Sequence, residues 1–312
     1  MRTNSLYIGV DIGGTKTAVS LSTKDTQIIK KFKFPTKKDS YQVLEDIGIS
    51  IEELKTIAEK ENQEIASIGI SCGGPLNREK GIILSPPNLS SWDRIEIVEW
   101  LTKRFHIPTF LENDANACAL AEWYSGNGKG KSNVIFLTFG TGLGAGLILN
   151  NHLYVGKNGL AGEVGHLRIA EDGPYCYHKR GSWESYCSGS GLKGLYKMYY
   201  NEDKSGKEIC DLADNNDEKA LSVIKQSAIH LGKGIALLID IFDPDCIIIG
   251  SIYTRSEELF FPAMMHHIKK EALPESLEGC AILPSYLKEE LGDIAALAVA
   301  INRLEESKKT YE

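Results

Sequence analysis

Two glycine-rich turns, each held between apolar runs, constrain this chain more than any other feature. Residues 7–21 read YIGVDIGGTKTAVSL and residues 133–149 read NVIFLTFGTGLGAGLIL. Each is an apolar strand, a turn of Gly and Thr, and a second apolar strand. Two copies of one plan in separate halves describe a duplicated domain with two facing turns. Two unrelated hairpins describe the pattern equally well, because Gly and Thr are common in turns. A chain of 312 residues is long enough for two domains at about 150 residues each. The stretch SGNGKGKS at 125–132 is the best linker. The expected division is a small α/β domain over 1–122 and a larger α/β domain over 123–312, with the C-terminal helix able to pack back on the first.

Consecutive N–H groups in such a turn form a nest for an anion, and glycine lets a phosphate approach closely. Gly13-Gly14-Thr15-Lys16-Thr17 is not a Walker A loop, since Thr15 stands before Lys16 where that motif needs glycine. Residues 140–145 (GTGLGA) fit the dinucleotide fingerprint, but that fingerprint must open a helix and 143–149 is strand-like. What remains is a pair of β-turn phosphate grips. Asp11, ending the first strand, either serves a magnesium ion beside the phosphates or caps the turn.

Lys plus Arg number 35 and Asp plus Glu 42, a net charge of −7. That argues against a general affinity for nucleic acid or anionic membrane and leaves room for a local basic cleft. No run approaches the ~20 apolar residues of a membrane helix. The longest, 235–242, is interrupted by Asp240. Met1-Arg2 leads almost directly into a strand, so no signal peptide is expected. Seven scattered cysteines point to reduced thiols and a cytoplasmic location.

Periodicity predicts strands at 6–10, 18–21, 27–34, 65–71, 107–111, on both sides of the turn within 134–149, and at 246–250. Helices are expected over 39–62, 95–105, 114–124, 218–239 and from 292 onward, and 72–94 reads as loop. In the long helix Leu221, Ile224, Ala228, Leu231, Ile235 and Leu238 form a core stripe. Asn113-Asp114 stands where a helix N-cap belongs.

Asp11-Ile12-Gly13-Gly14-Thr15-Lys16-Thr17, Glu112-Asn113-Asp114-Ala115-Asn116, Gly140-Thr141-Gly142 and Glu163-Val164-Gly165-His166 occur in the order seen in the ROK family of repressors, open reading frames and kinases. The resemblance covers about residues 6 to 300 and implies an actin-like (ribonuclease H-like) duplicated α/β fold, whose two domains close over an ATP and sugar cleft. It implies a cytoplasmic, glucokinase-like enzyme that uses ATP and Mg2+ to phosphorylate a hexose at its 6-hydroxyl, often as a homodimer. Asp114 resembles the catalytic aspartate. Its residue context suits a general base, because a helix N-terminus keeps a carboxylate ionised; a simple N-cap is the lesser alternative by spacing alone. Gly74, Asn88, Asn113, Glu163, His166 and Glu184 are the candidate sugar ligands, Asn88 being no less plausible as an ordinary turn asparagine. The resemblance puts ATP phosphates on Gly13, Gly14 and Thr15 and on Thr138, Gly140, Thr141 and Gly142, with Asp11 and Lys16 counted among the residues that bind the cofactor. The adenosine side falls at Gly250, where Ser251 departs from the family's second glycine.

Many ROK proteins carry a zinc motif, Cys-x-Cys-Gly-x-x-Gly-Cys-x-Glu. Here Cys176 keeps the first cysteine, His178 stands at the second, Ser182 replaces the third, and one residue is missing. Serine is not a zinc ligand. A replacement set of His166, Cys176, His178 and Cys187 has suitable ligand types, but Cys187 is out of register, so ordinary packing is expected to order this loop. Two other functions compete: a sugar-sensing regulator without its DNA-binding module, and a sugar-binding protein without catalysis. Glucose leads the expected substrates, followed by N-acetylglucosamine, N-acetylmannosamine, mannose and fructose.

Overall fold

Strand β1 (Ser5–Ile12) is buried along nearly its whole length, which is why its sequence is apolar on both faces. The computed structural model describes residues 5–89 and 91–309. Met1, Arg2 and the outermost ends of the two expected domains lie outside the described residues. After the first glycine turn the chain returns antiparallel as β2 (Lys16–Ser22) and then β3 (Ile28–Pro35). Helix α1 (Ser40–Lys60) starts at Asp39, whose side chain accepts from the Tyr41 N–H. It leads to β4 (Glu64–Cys72), parallel to β1. Residues 72–94 are not all loop. Leu76 and Asn77 (β5) pair with Ile82 and Ile83 (β6), and Trp92 beyond them is fully buried. Short polar-flanked pairs of this kind carry too little periodicity to be seen in sequence. Helix α2 (Ile97–Phe105), strand β7 (Thr109–Asn113) and helix α3 (Asp114–Ser125) complete this stretch.

The second glycine turn joins β8 (Val134–Phe139) to β9 (Leu143–Leu149), and β10 (His152–Tyr154) follows. A small hairpin, β11 (Tyr175–Cys176) with β12 (Lys179–Arg180), precedes helices α4 (Trp183–Tyr186), α5 (Gly189–Tyr200) and α6 (Gly206–Asp214). Helix α7 (Glu218–Phe242) buries the expected stripe except Leu221, which at 36% exposure lies in its first turn. Strand β13 (Cys246–Ile249), helices α8 (Ile252–Arg255), α9 (Glu257–Glu271) and α10 (Pro274–Gly279), and strand β14 (Ala281–Pro284) close the unit.

The two sheets have one topology. Their orders are β3-β2-β1-β4-β7 and β10-β9-β8-β13-β14. In each, the central strand pairs antiparallel with its hairpin partner and parallel with the strand on its other side. The echo between residues 7–21 and 133–149 is therefore a true duplication rather than two chance hairpins. A boundary at 122/123 falls inside α3. The chain instead divides after Gly126, and from Glu289 it rejoins the first unit. Helix α11 (Leu291–Lys309) packs across β1 and β4. It comes unusually close, because a Cβ on Gly69 would lie 2.3 Å from the Ala296 carbonyl oxygen and from the Ala300 nitrogen. Alanines on the helix and glycines on the strands are the two halves of that fit. Among the described residues no helix is long and apolar enough to cross a membrane.

Candidate functional site

In the first unit the carboxyl ends of β1, β4 and β7 lie side by side, with Asp11 in register with Ser71 and Glu112, one residue before Cys72 and Asn113. Beside them the first glycine turn is tied down through its acceptors. Gly13 N–H donates to the Lys16 carbonyl (3.0 Å), Thr36 Oγ1 donates to the Gly13 carbonyl (2.7 Å), and Thr36 N–H donates to the Thr15 carbonyl (3.0 Å). Among the described residues no acceptor meets the N–H groups of Gly14 and Thr15, which leaves them as an anion nest. A Cβ on Gly14 would lie 2.9 Å from Asn88 Cβ, so the exposed Asn88 is packed against the turn. A recess of about 110 Å³ opens beside it, lined by Asp11, Lys16, Thr17, Lys33, Gly292 and Asp293. Lys33, absent from the sequence-level candidates, gets there by cross-strand register, with Asp11 opposite Ala18 and Ala18 opposite Lys33.

Asp11 is the most perturbed carboxyl in this recess. Burial, then the charges of Asp293 and Asp114, push its pKa up to about 7 against the opposing pull of Lys33. Asp293 is itself paired with Lys31 at 2.6 Å. Asp114 is the first residue of α3, and the cap is Asn113, whose Oδ1 accepts from Ala115 N–H at 2.9 Å. The simple-cap alternative for Asp114 thus falls to its neighbour. Surrounding protein raises the Asp114 pKa, while N–H donation from Ala115 opposes the rise. Asp114 is nevertheless an exposed residue, so water reaches it and screens part of that rise. Gly73 and Gly74 lie against this pair; a Cβ on either would come within 3.7 Å of Asp114 Oδ2 or 3.4 Å of Asn113 Nδ2.

Glu112 sits beneath, 1% exposed, accepting from Asn113 N–H and Asn116 Nδ2 at 3.0 Å each. Its other oxygen faces Arg78 Nη2 at 2.8 Å, an ion pair without hydrogen-bond geometry. Burial raises the Glu112 pKa and Arg78 opposes the rise. Arg78 was missed in sequence because only tertiary pairing brings it to Glu112.

In the second unit the other turn is built on the same plan. Gly189 and Ser190 N–H, at the start of α5, donate to the Gly140 and Thr141 carbonyls at 2.7 and 3.3 Å. The N–H groups of Thr141 and Gly142 meet no acceptor among the described residues. Thr138 lies on β8, half-buried below them. Glu184 closes the turn from beneath by accepting from Leu143 N–H at 2.8 Å, and a Cβ on Gly142 would stand 2.7 Å from its Oε2. Glu163 and His166 are both exposed, Glu163 preceding and His166 ending the short turn Val164–His166. The His166 ring stacks on Tyr177, with centroids 3.6 Å apart. Gly250 N–H donates to the Leu137 carbonyl at 2.9 Å.

A sequence model described as "ROK family" matches residues 7–303. The chain belongs to the ROK family. The glucokinase of Thermotoga maritima is 31% identical over 95% of this chain and 98% of its own length. A xylose repressor of Bacillus spizizenii is 31% identical over 90% of this chain, which covers 73% of the repressor. Among solved structures, a ROK hexokinase from Thermus thermophilus is 28% identical, with a TM-score of 0.85 over 96% of this chain and 99% of that one. A ROK family glucokinase from Streptomyces griseus, solved with glucose and AMPPNP, is 29% identical with a TM-score of 0.76, covering 95% of this chain and 99% of that one. The duplicated fold is thus the actin-like ATPase fold of ROK sugar kinases.

Two departures from the ROK pattern have a structural counterpart here. Ser251 adopts φ 59° and ψ −116°, a conformation natural to the glycine that the pattern places there. The residues of the degenerate zinc motif do not fit the metal. Cys187 is fully buried and its thiol donates to the Ser227 carbonyl, while Ser182 is occupied as the cap of α4. Cys176 faces Glu184 instead, at 3.5 Å. Among the described residues no three His, Cys, Asp or Glu side chains come together as a metal site.

Proposed function

We propose that the protein is an ATP-dependent hexose kinase that phosphorylates glucose, or a closely related hexose, at its 6-hydroxyl, with Asp114 as general base. The observation that carries this is the pairing of an exposed Asp114 at a helix start with an open phosphate nest at Gly14 and Thr15 on the same sheet edge. The family's glucokinases support the sugar kinase class, and the Streptomyces griseus complex supports glucose and ATP.

Gly13, Gly14, Thr15 and Lys16, with Thr138, Gly140, Thr141 and Gly142, bind phosphates, and Gly250 lies on the adenosine side. Gly74, Asn88, Asn113, Glu163, His166 and Glu184 orient the sugar. Asp11 fits the Mg2+ that accompanies ATP, because no hydrogen-bond donor among the described residues meets its carboxylate and Asp293 and Asp114 add negative charge around it. That ion, when bound, offsets charge on the phosphates. Asp114 accepts the 6-hydroxyl proton as the sugar oxygen bonds to the γ-phosphorus and the bond to the β-phosphate oxygen breaks, releasing ADP.

A coupled ADP-release assay over hexoses and N-acetylhexosamines tests this. Asp114→Asn should lower kcat about 10²–10⁴-fold with little change in sugar KM. Equal activity in the variant removes Asp114 as the base. The repressor likeness favours a second function, a sugar-responsive regulator, which predicts sugar binding without ADP release. A cytoplasmic dimer agrees with seven free thiols and with the family, and light scattering reads the assembly.

A further inference from the structure

The hairpin that replaces the zinc loop makes contacts no metal-bound loop would need. Its two turn residues, Tyr177 (φ 53°) and His178 (φ 57°), are both left-handed without being glycine. That is the backbone of a tight two-residue hairpin turn, at a cost of about 1 kcal/mol or more per residue. The strain places Tyr177 between the two sugar-side residues of its unit. Its ring stacks on His166 at 3.6 Å with an interplanar angle of 23°, and its hydroxyl donates to Glu184 Oε2 at 2.7 Å. The same hairpin grips the pair twice more. Cys176 Sγ donates to Glu184 Oε1, and Lys179 Nζ donates to the His166 carbonyl. Burial and the Glu184 charge raise the Tyr177 pKa, so the phenol remains a donor. Through Leu143 N–H, Glu184 carries the hold on to the second glycine turn.

We propose that Tyr177 is a positioning residue, clamping His166 by stacking and Glu184 by a hydrogen bond, and that this hairpin orders the sugar side of the second unit without a metal ion. The kinetic part rests on the function proposed above. Tyr177→Phe keeps the stack and loses the hydrogen bond; Tyr177→Ala loses both. Sugar KM should rise about 10-fold in the first and about 100-fold in the second, as expected for one charged hydrogen bond and then the stack as well. The KM for ATP and the melting temperature should stay close to those of the starting protein.

A second readout needs no activity. In the NMR spectrum of the seven histidines, the resonance lost in His166→Gln should be shifted upfield by the Tyr177 ring, unshifted in Tyr177→Ala and retained in Tyr177→Phe. If the starting protein turns over no sugar, the function fails and the NMR arm still decides the clamp. If Tyr177→Ala does not fold, the split between sugar and ATP KM in Tyr177→Phe decides it. An unchanged His166 resonance in Tyr177→Ala, equal rises in both KM values, or one zinc per chain by elemental analysis overturns the proposal.

Discussion

Replacing Asp11 by asparagine should stabilise the protein while disabling it. Among the carboxyls of this recess Asp11 is held up to about 7, against 3.8 for a free aspartate, chiefly by burial and then by Asp293 and Asp114. A carboxyl with a raised folded pKa binds its proton more tightly folded than unfolded. Stability therefore falls as pH climbs from about 4 to about 7 and levels off above. Three pKa units correspond to about 4 kcal/mol. The side chain is only half-buried and water screens part of that cost, so about 2 kcal/mol is the expected size. Asparagine keeps the shape of the protonated acid and has nothing to titrate. Its advantage should be full at pH 8 and smaller at pH 5. Three of the four tryptophans, Trp92, Trp100 and Trp123, belong to the first unit, so urea unfolding followed by their fluorescence reports the right part of the chain. The midpoint should move up at pH 8 with the slope unchanged, while ADP release falls about 100-fold or more if Asp11 holds the cation. An advantage equal at both pH values, or a variant less stable than the starting protein at pH 8, refutes the reasoning.

Arg78→Met leaves Glu112 charged and buried without its partner, and should cost about 3–5 kcal/mol in thermal unfolding; Arg78→Met with Glu112→Gln should recover much of it. Ser251→Gly relieves a left-handed serine and should add about 1 kcal/mol, read as a small rise in melting temperature. Gly69→Ala forces a Cβ to within 2.3 Å of the α11 backbone and should lose about 2–3 kcal/mol. A Gly69→Ala protein that melts like the original would mean the helix does not lie that close.

Local chemistry was legible from the start. The glycine turns, the strand that Asp11 ends and the helix that Asp114 opens are set by short-range rules, since φ freedom, N–H geometry and capping involve residues next to one another. Those rules also rejected the dinucleotide fingerprint, and β9 does follow the second turn as a strand. They could not choose between duplication and two chance hairpins, because strand order is a matter of long-range pairing. Nor could they find the hairpin at 76–83, too short to show a period.

Partners far apart in sequence came only from tertiary structure. Arg78 meets Glu112, Lys33 reaches the Asp11 recess by register, and α11 returns from the end of the chain to lie on Gly69. The zinc motif shows the limit best. Its loss of ligands was visible in the sequence, and so was Tyr177. That Tyr177 would lie on His166 and bond to Glu184 was not, because a side chain's target depends on a backbone turn and on two segments folded against it. Sequence fixes what each residue can do; packing decides which groups are close enough for it to happen.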